Sequence, residues 1–126
     1  MSALADTSIL VDYLRGVEAA RRLLRTALER GEVVSASLLT RVELSIGMRR
    51  SERRRTDAIV AALRWLPVDA AVADEADALA RRYGPSHSGI DAVDYCVAAS
   101  ARVHDLELWT LNVRRFPMFP TLETPW

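Results

Sequence analysis

Ala3-Leu4-Ala5-Asp6-Thr7-Ser8-Ile9-Leu10 joins an apolar run, a carboxylate and two hydroxyl side chains in one short stretch. Ala3-Leu4-Ala5 carries no polar side chain to face water, so it reads as a short strand buried on both faces. Thr7 and Ser8 can cap a helix that runs through Ile9, Leu10, Tyr13 and Leu14 and ends at Gly16. Asp6 therefore falls where the first strand stops, a position whose meaning depends on what kind of sheet the rest of the chain builds.

Beyond this stretch the same alternation continues. Glu18 to Arg30 has Leu23, Leu24, Ala27 and Leu28 at helical spacing and meets Gly31. Val33-Val34-Ser35-Ala36 predicts a second strand. Ser37 or Thr40 then starts a helix carrying Leu38, Leu39, Val42 and Ile46, which ends near Gly47. Helical spacing resumes from Thr56 to Leu63. Leu66-Pro67-Val68 is a short strand candidate, and Ala70 to Tyr83 an Ala-rich helix with acids near its start, which suits the helix dipole. Pro85 to Gly89 forms a loop. A helix begins at Ile90 or Asp91 and runs through Val103; Leu106 to Thr110 is a strand, with Met118-Phe119 a last short one. Strands alternating with helices predict an α/β fold, a small central parallel sheet with helices on both faces. In such sheets ligands gather at the carboxyl ends of the strands, so Asp6 is the first candidate for function.

The 126 residues suit one domain spanning 1–126; half are hydrophobic and 27% charged, a globular composition. Seventeen basic residues balance seventeen acidic ones, so net charge does not speak for or against nucleic acid. Every basic residue is Arg. The absence of Lys excludes a Walker-type phosphate loop and Schiff-base chemistry. The single Cys96 forms no internal disulfide, and two His give no zinc-finger spacing, consistent with a reducing, cytoplasmic setting. No apolar run has the roughly 18 residues of a membrane helix, and no signal peptide is evident.

Four acids lie in apolar or small-residue surroundings: Asp6 after Leu4-Ala5, Glu43 within Arg41-Val42-Glu43-Leu44, and Asp91 and Asp94 within Ile90-Asp91-Ala92-Val93-Asp94-Tyr95. Helical geometry sets Asp91 and Asp94 about 60° apart on one flank. Ala98 and Ala101 fall on that flank, leaving room for a ligand. Gathering carboxylates in a buried place is costly unless a cation neutralises them. Oxygen donors without His or Cys point to Mg²⁺ or Mn²⁺, and such ions lower the pKa of bound water and hold phosphate oxygens. Plainer readings stand beside this one. Asp6 and Asp91 can be helix caps and Glu43 an exposed helix residue. Asp94 has no evident capping role and poor helix propensity.

Asp6-Thr7-Ser8, Arg41-Val42-Glu43-Leu44, Ala92-Val93-Asp94-Tyr95-Cys96-Val97-Ala98-Ala99 and Trp109-Thr110-Leu111-Asn112, in that order across essentially the whole chain, resemble the PIN-domain family. More narrowly they resemble its VapC-type toxins of bacterial and archaeal toxin–antitoxin pairs. The resemblance implies a three-layer α/β/α PIN fold and a Mg²⁺- or Mn²⁺-dependent endoribonuclease that cuts transfer or ribosomal RNA and inhibits translation. It also implies inhibition by a cognate VapB-like antitoxin, and a homodimer. By motif match, Asp6, Glu43 and Asp94 are the core metal-binding acids, expected to share one ion, with Thr7 or Ser8 supporting them. Asn112 stands where many members carry a fourth acid or an Asn, and Arg115 where an Asp or His often follows. Asp91 is then a further candidate metal ligand.

Arg114 and Arg115 are candidate substrate contacts, since Arg suits bidentate phosphate binding. The run Met48-Arg49-Arg50-Ser51-Glu52-Arg53-Arg54-Arg55 has three readings: an RNA-backbone contact, a solvated turn between helices, or an antitoxin contact. Leu23, Leu24 and Leu28 with Ile59 and Leu63 can line a groove for an antitoxin helix or serve as core. Trp65, Trp109 and Trp126 read as packing residues, Cys96 as a small core residue, and His87 and His104 as surface residues. Two rival functions draw on the same residues. A receiver-like phosphate-accepting domain shares an acidic pocket but needs a Lys that this chain lacks. A non-catalytic binding module of the same fold is disfavoured by retention of the three core acids.

Overall fold

The computed structural model describes residues 2–126. Its strands are β1 (Ala3–Ala5), β2 (Val34–Ser37), β3 (Arg64–Leu66) and β4 (Glu107–Trp109). Helices α1 (Thr7–Leu14) and α2 (Glu18–Glu29) link β1 to β2, and α3 (Leu38–Gly47) and α4 (Arg53–Ala62) link β2 to β3. The last pair, α5 (Ala70–Tyr83) and α6 (Ala92–Val103), leads to β4. All neighbouring strands are parallel, in the order β3-β2-β1-β4. The chain thus builds outward from β1 through β2 to β3, then crosses back to lay β4 on the other side of β1. The crevice between the carboxyl ends of β1 and β4 is the point where the strand order reverses, and such points hold ligands in open α/β sheets.

Strand parity sorts the side chains into two cores. Ala3, Ala5, Val34, Ala36 and Trp109 face one side, packed with Ile9, Leu10, Leu24, Leu44 and Ile59 of α1 to α4. Leu4, Leu66 and Leu108 face the other, packed with Val72, Leu79, Val97 and Ala101 of α5 and α6. Because successive side chains point to opposite faces, even these short strands feed both layers. The expected α/β/α sandwich with a small parallel sheet is the architecture found.

Several boundaries differ from the sequence reading, each for a local reason. Ser37 both ends β2 and caps α3, its hydroxyl accepting from the Leu39 N–H at 3.2 Å; Thr40 is inside the helix and fully buried. Helix α4 begins at Arg53, before Thr56, because Glu52 organises the basic run. Glu52 is buried, accepts the Arg49 N–H at 2.9 Å and faces Arg15 at 3.8 Å, winding Arg50–Glu52 into a 3₁₀ turn. Strand β3 is Arg64–Leu66 and stops at Pro67, which has no N–H for the ladder. Met118-Phe119 forms no strand: it lies in a turn, with Phe116 and Met118 buried against the α5–α6 layer. Trp109 is buried, Trp65 is half-buried beneath the Arg41 guanidinium, and Trp126 is exposed, so packing is not the role of all three. Cys96 is half-buried, its thiol pKa pushed up by burial. His87 and His104 are both exposed, as expected.

Candidate functional site

At the crevice between β1 and β4, one cleft of about 360 Å³ is lined by the acids Asp6, Asp12, Glu43, Asp91 and Asp94, with Arg115 as its single cation. Four separate segments deliver these groups. Asp6 follows β1, Glu43 projects from α3, Asp91 and Asp94 stand at the start of α6, and Arg115 comes from a 3₁₀ turn, Val113–Arg115, after β4. Thr7, Ser8, Leu111 and Asn112 complete the walls.

Asp6 occupies the N-cap position of α1, yet its side chain makes no capping bond. Its Oδ2 instead accepts from the Thr110 hydroxyl at 2.8 Å and the Ser8 hydroxyl at 3.2 Å. The Ser8 oxygen in turn accepts the Leu111 N–H at 3.1 Å, and Thr110 accepts the Asn112 N–H at 3.0 Å. This set of bonds ties the end of β1 to the end of β4 and aims a buried carboxylate at the crevice. Thr7 and Ser8 thus do not cap α1 with their side chains. Thr7 donates to Glu43 Oε1 at 2.6 Å, with the Thr40 hydroxyl 3.1 Å from its own. Glu43 is therefore half-buried and anchored across the cleft wall, not a solvated helix residue.

Asp91 and Asp94 form a reciprocal cap at the start of α6. Asp91 Oδ1 accepts the Asp94 N–H at 2.8 Å, and Asp94 Oδ2 accepts the Asp91 N–H at 3.1 Å. Asp94 thus has the capping role its sequence context hid, and Asp91 precedes the helix, so the flank drawn for the pair does not apply. Ala98 and Ala101 are buried in the α5–α6 core and do not open space for a ligand. Asp94 is nearly buried, and desolvation raises its carboxyl from 3.8 to about 6; the neighbouring Asp91 adds to the rise, while the Asp91 N–H and Arg115 oppose it. Arg115 Nη1 lies 3.7 Å from Asp94 Oδ2. Arg114 faces away, onto an adjoining hollow with Val113 and Thr124.

The carboxylates share a cleft without closing on one point. Among the described residues, no three His, Cys, Asp or Glu side chains stand close enough together to hold an ion directly. Asp6, Glu43 and Asp94 line the same cleft, each held by its own hydroxyl or N–H partner, and are not grouped closely enough for all three to ligate one ion directly. All donors are hard oxygens in excess of the one nearby cation. That chemistry fits an ion such as Mg²⁺, which keeps several of its waters and takes only one or two carboxylates directly. Two residues escaped the sequence reading: Thr110, a fully buried hydroxyl at the end of β4 that donates to Asp6, and Asp12, a lining acid in α1. Thr110 had a signal, since it stands at a strand's carboxyl end beside Asn112.

A groove of about 610 Å³ lies elsewhere, between α1, α2 and α4. Tyr13, Leu24, Leu28 and Ile59 form its apolar floor and Arg21, Arg25 and Arg55 its rim, with Glu29. Leu23 and Leu63 are not part of it: Leu63 is core and Leu23 lines a hollow beside β4. No helix among the described residues is long and apolar enough to cross a membrane.

A profile of the family described as PIN domain matches residues 3–117. The chain is 49% identical over 123 residues to Ribonuclease VapC19 of Mycobacterium tuberculosis, covering 98% of both chains. Among solved structures, a toxin–antitoxin complex from Klebsiella pneumoniae aligns with TM-score 0.76 and 28% identity over 98% of each chain. VapBC2 from Rickettsia felis, bound to a promoter DNA fragment, aligns with TM-score 0.83 over 98% of this chain and 97% of its own. Its identity of 18% speaks for the fold alone.

Proposed function

The chain belongs to the PIN-domain family, and from that premise we propose that it is a VapC-type toxin, an endoribonuclease that hydrolyses RNA phosphodiester bonds with Mg²⁺ or Mn²⁺ and inhibits translation. One observation carries the reading: acids from β1, α3 and α6 meet in a single cleft at the sheet's reversal point. Asp6, Glu43 and Asp94 are the residues that would hold the ion, directly or through water, with Asp91 beside them. When bound there, the ion supplies Lewis-acid polarisation of a phosphoryl oxygen and a lowered pKa for water.

The chain's own residues do the rest. Ser8 and Thr110 fix the Asp6 carboxylate in one orientation, and Thr7 does the same for Glu43. The α6 cap keeps Asp94 pointed into the cleft. Arg115, at the mouth, is placed to meet a phosphate oxygen; Arg114, outside the cleft, is left to the flanking backbone. Asn112 adds an uncharged wall where a further acid would strengthen a second ion, so one ion per site is the simpler reading.

Regulation fits the second groove. Its apolar floor and Arg rim suit a helix of the cognate antitoxin laid into it. Arg55, the end of the basic run, belongs to that rim, which favours antitoxin contact over RNA contact for this part of the run. Beside the cleft, α3 exposes Leu38, Val42 and Ile46, the last 81% accessible. Their four-residue spacing sets them in one apolar stripe, which suits a contact with the same stripe of a second copy.

The test is direct. Purified protein is incubated with structured RNA and Mg²⁺ or Mn²⁺, beside an EDTA control and the Asp94→Asn variant. Cleavage by the parent only, and only with metal, is expected. Metal-independent cleavage, or equal cleavage by the variant, would reject the assignment.

A further inference from the structure

We propose that Arg115 is a built-in counter-cation of the acidic cleft, competing with the divalent ion for Asp94 until an RNA phosphate draws it away. The inference rests on the nuclease reading and adds a regulatory step to it. Five carboxylates line the cleft, and Arg115 is the one cation among its lining residues. Its contact with Asp94 is a charge pair at 3.7 Å and not a hydrogen bond, so nothing directional locks it. The two partners differ in burial. The Asp94 side chain is 8% exposed, whereas that of Arg115 is 49% exposed, so the guanidinium reaches in from solvent and can return to it.

The backbone beneath it is fixed. Arg115 N donates to Asn112 O at 2.9 Å, Phe116 N to Val113 O at 3.0 Å, and the Phe116 side chain is buried in the core. A firmly placed Cα with a long, solvent-facing side chain gives the guanidinium two positions, over Asp94 or outward across the mouth. Over Asp94 it screens the acid and repels an incoming dication. With a divalent ion in the cleft, the same repulsion turns it outward, where an anionic phosphate is its natural partner. Removing that partner favours the inward position again. Metal and RNA therefore bind with positive coupling, each strengthening the other by the same factor.

The experiment is Mn²⁺ titration of the full chain, read by electron paramagnetic resonance of the free ion, which needs no turnover. Parent, Arg115→Ala and Arg115→Gln are compared, alone and with a short single-stranded oligonucleotide whose integrity is checked by gel after each titration. Without oligonucleotide the two variants bind Mn²⁺ about two- to fivefold more tightly than the parent, the worth of one half-exposed ion pair. The oligonucleotide tightens Mn²⁺ binding by the parent and much less by either variant. Arg81→Ala, on the exposed face of α5 and outside the cleft, matches the parent. Equal or weaker Mn²⁺ binding by both Arg115 variants overturns the counter-cation role and leaves the nuclease reading standing. No Mn²⁺ binding by any of the proteins removes both.

Discussion

Asp94→Asn is expected to make the metal-free protein more stable while removing its activity. The Asp94 carboxyl rises from 3.8 to about 6 on folding, chiefly because burial penalises its charge. Two pKa units correspond to about 3 kcal/mol of strain that the ionised group places on the native state. Asparagine keeps the oxygen that accepts the Asp91 N–H and removes the charge. The lost attraction to Arg115 is already contained in that figure, because it lowers the same pKa; against the gain stands the lost attraction to the α6 dipole, about 1 kcal/mol. The net expectation is a gain of about 2 kcal/mol at pH 8. The sign of its pH dependence follows from the raised native pKa. Between about pH 4 and 6 the folded carboxyl binds a proton that the unfolded one does not, so parent stability climbs as pH falls through that window. The penalty is fully present above about pH 6 and gone near pH 4, where the variant's advantage disappears. Urea unfolding in EDTA at pH 8 and pH 4.5 measures both quantities. With an m-value of about 2 kcal/mol per molar, the pH 8 midpoint moves up by about 1 M. Excess Mg²⁺ narrows or reverses the difference, because only the parent gains binding energy from it. A variant no more stable than the parent at pH 8 would refute the claim that a desolvated carboxylate is held there.

Other expectations test separate parts of the molecule. Thr7→Val removes the hydroxyl that holds Glu43; single-turnover RNA cleavage is expected to fall about tenfold with a loss of roughly 1 kcal/mol of stability, as suits one hydrogen bond. Glu52→Ala leaves the Arg49 N–H without its partner and frees the 50–52 turn; thermal unfolding should show a loss of about 1–3 kcal/mol. Leu28→Glu places a charge in the groove floor, and calorimetry with the cognate antitoxin should show affinity reduced at least about tenfold, the effect of one mismatched charge in an apolar contact. Ile46→Glu should convert a dimer to a monomer in light scattering if α3 is the self-association face.

The layered fold was readable because its signals are local. Ala70–Tyr83 is helical to the residue expected, with Asp69 accepting the Val72 N–H at 3.0 Å as a side-chain cap. Ala3–Ala5 and its terminal Asp6 needed only an apolar run and a charge. Errors arose where a tertiary or reciprocal contact decides the outcome. Helix α4 starts early because a buried Glu52 reaches back to Arg49, and a run rich in Arg gives no sign of burial. The Asp91–Asp94 cap was missed because the usual signature has Glu or Gln at the third helical position; the shorter Asp closes the same ring.

The site itself was legible as a set of acids but not as an arrangement. Thr110 and Asp6 are 104 residues apart, and no spacing rule joins them. The sheet does, because β4 returns beside β1 and brings its last hydroxyl against the carboxylate at the end of β1. The same topology explains why the acids line one cleft without closing on one point. They arrive on independent elements, and with each already satisfied by Ser8, Thr110, Thr7 or the α6 cap, nothing draws like charges together. A fold that prepositions each acid separately also keeps the metal-free protein from collapsing its own cleft. Burial disfavours the Asp94 charge, and that is the acid beside which Arg115, the one cation lining the cleft, sits.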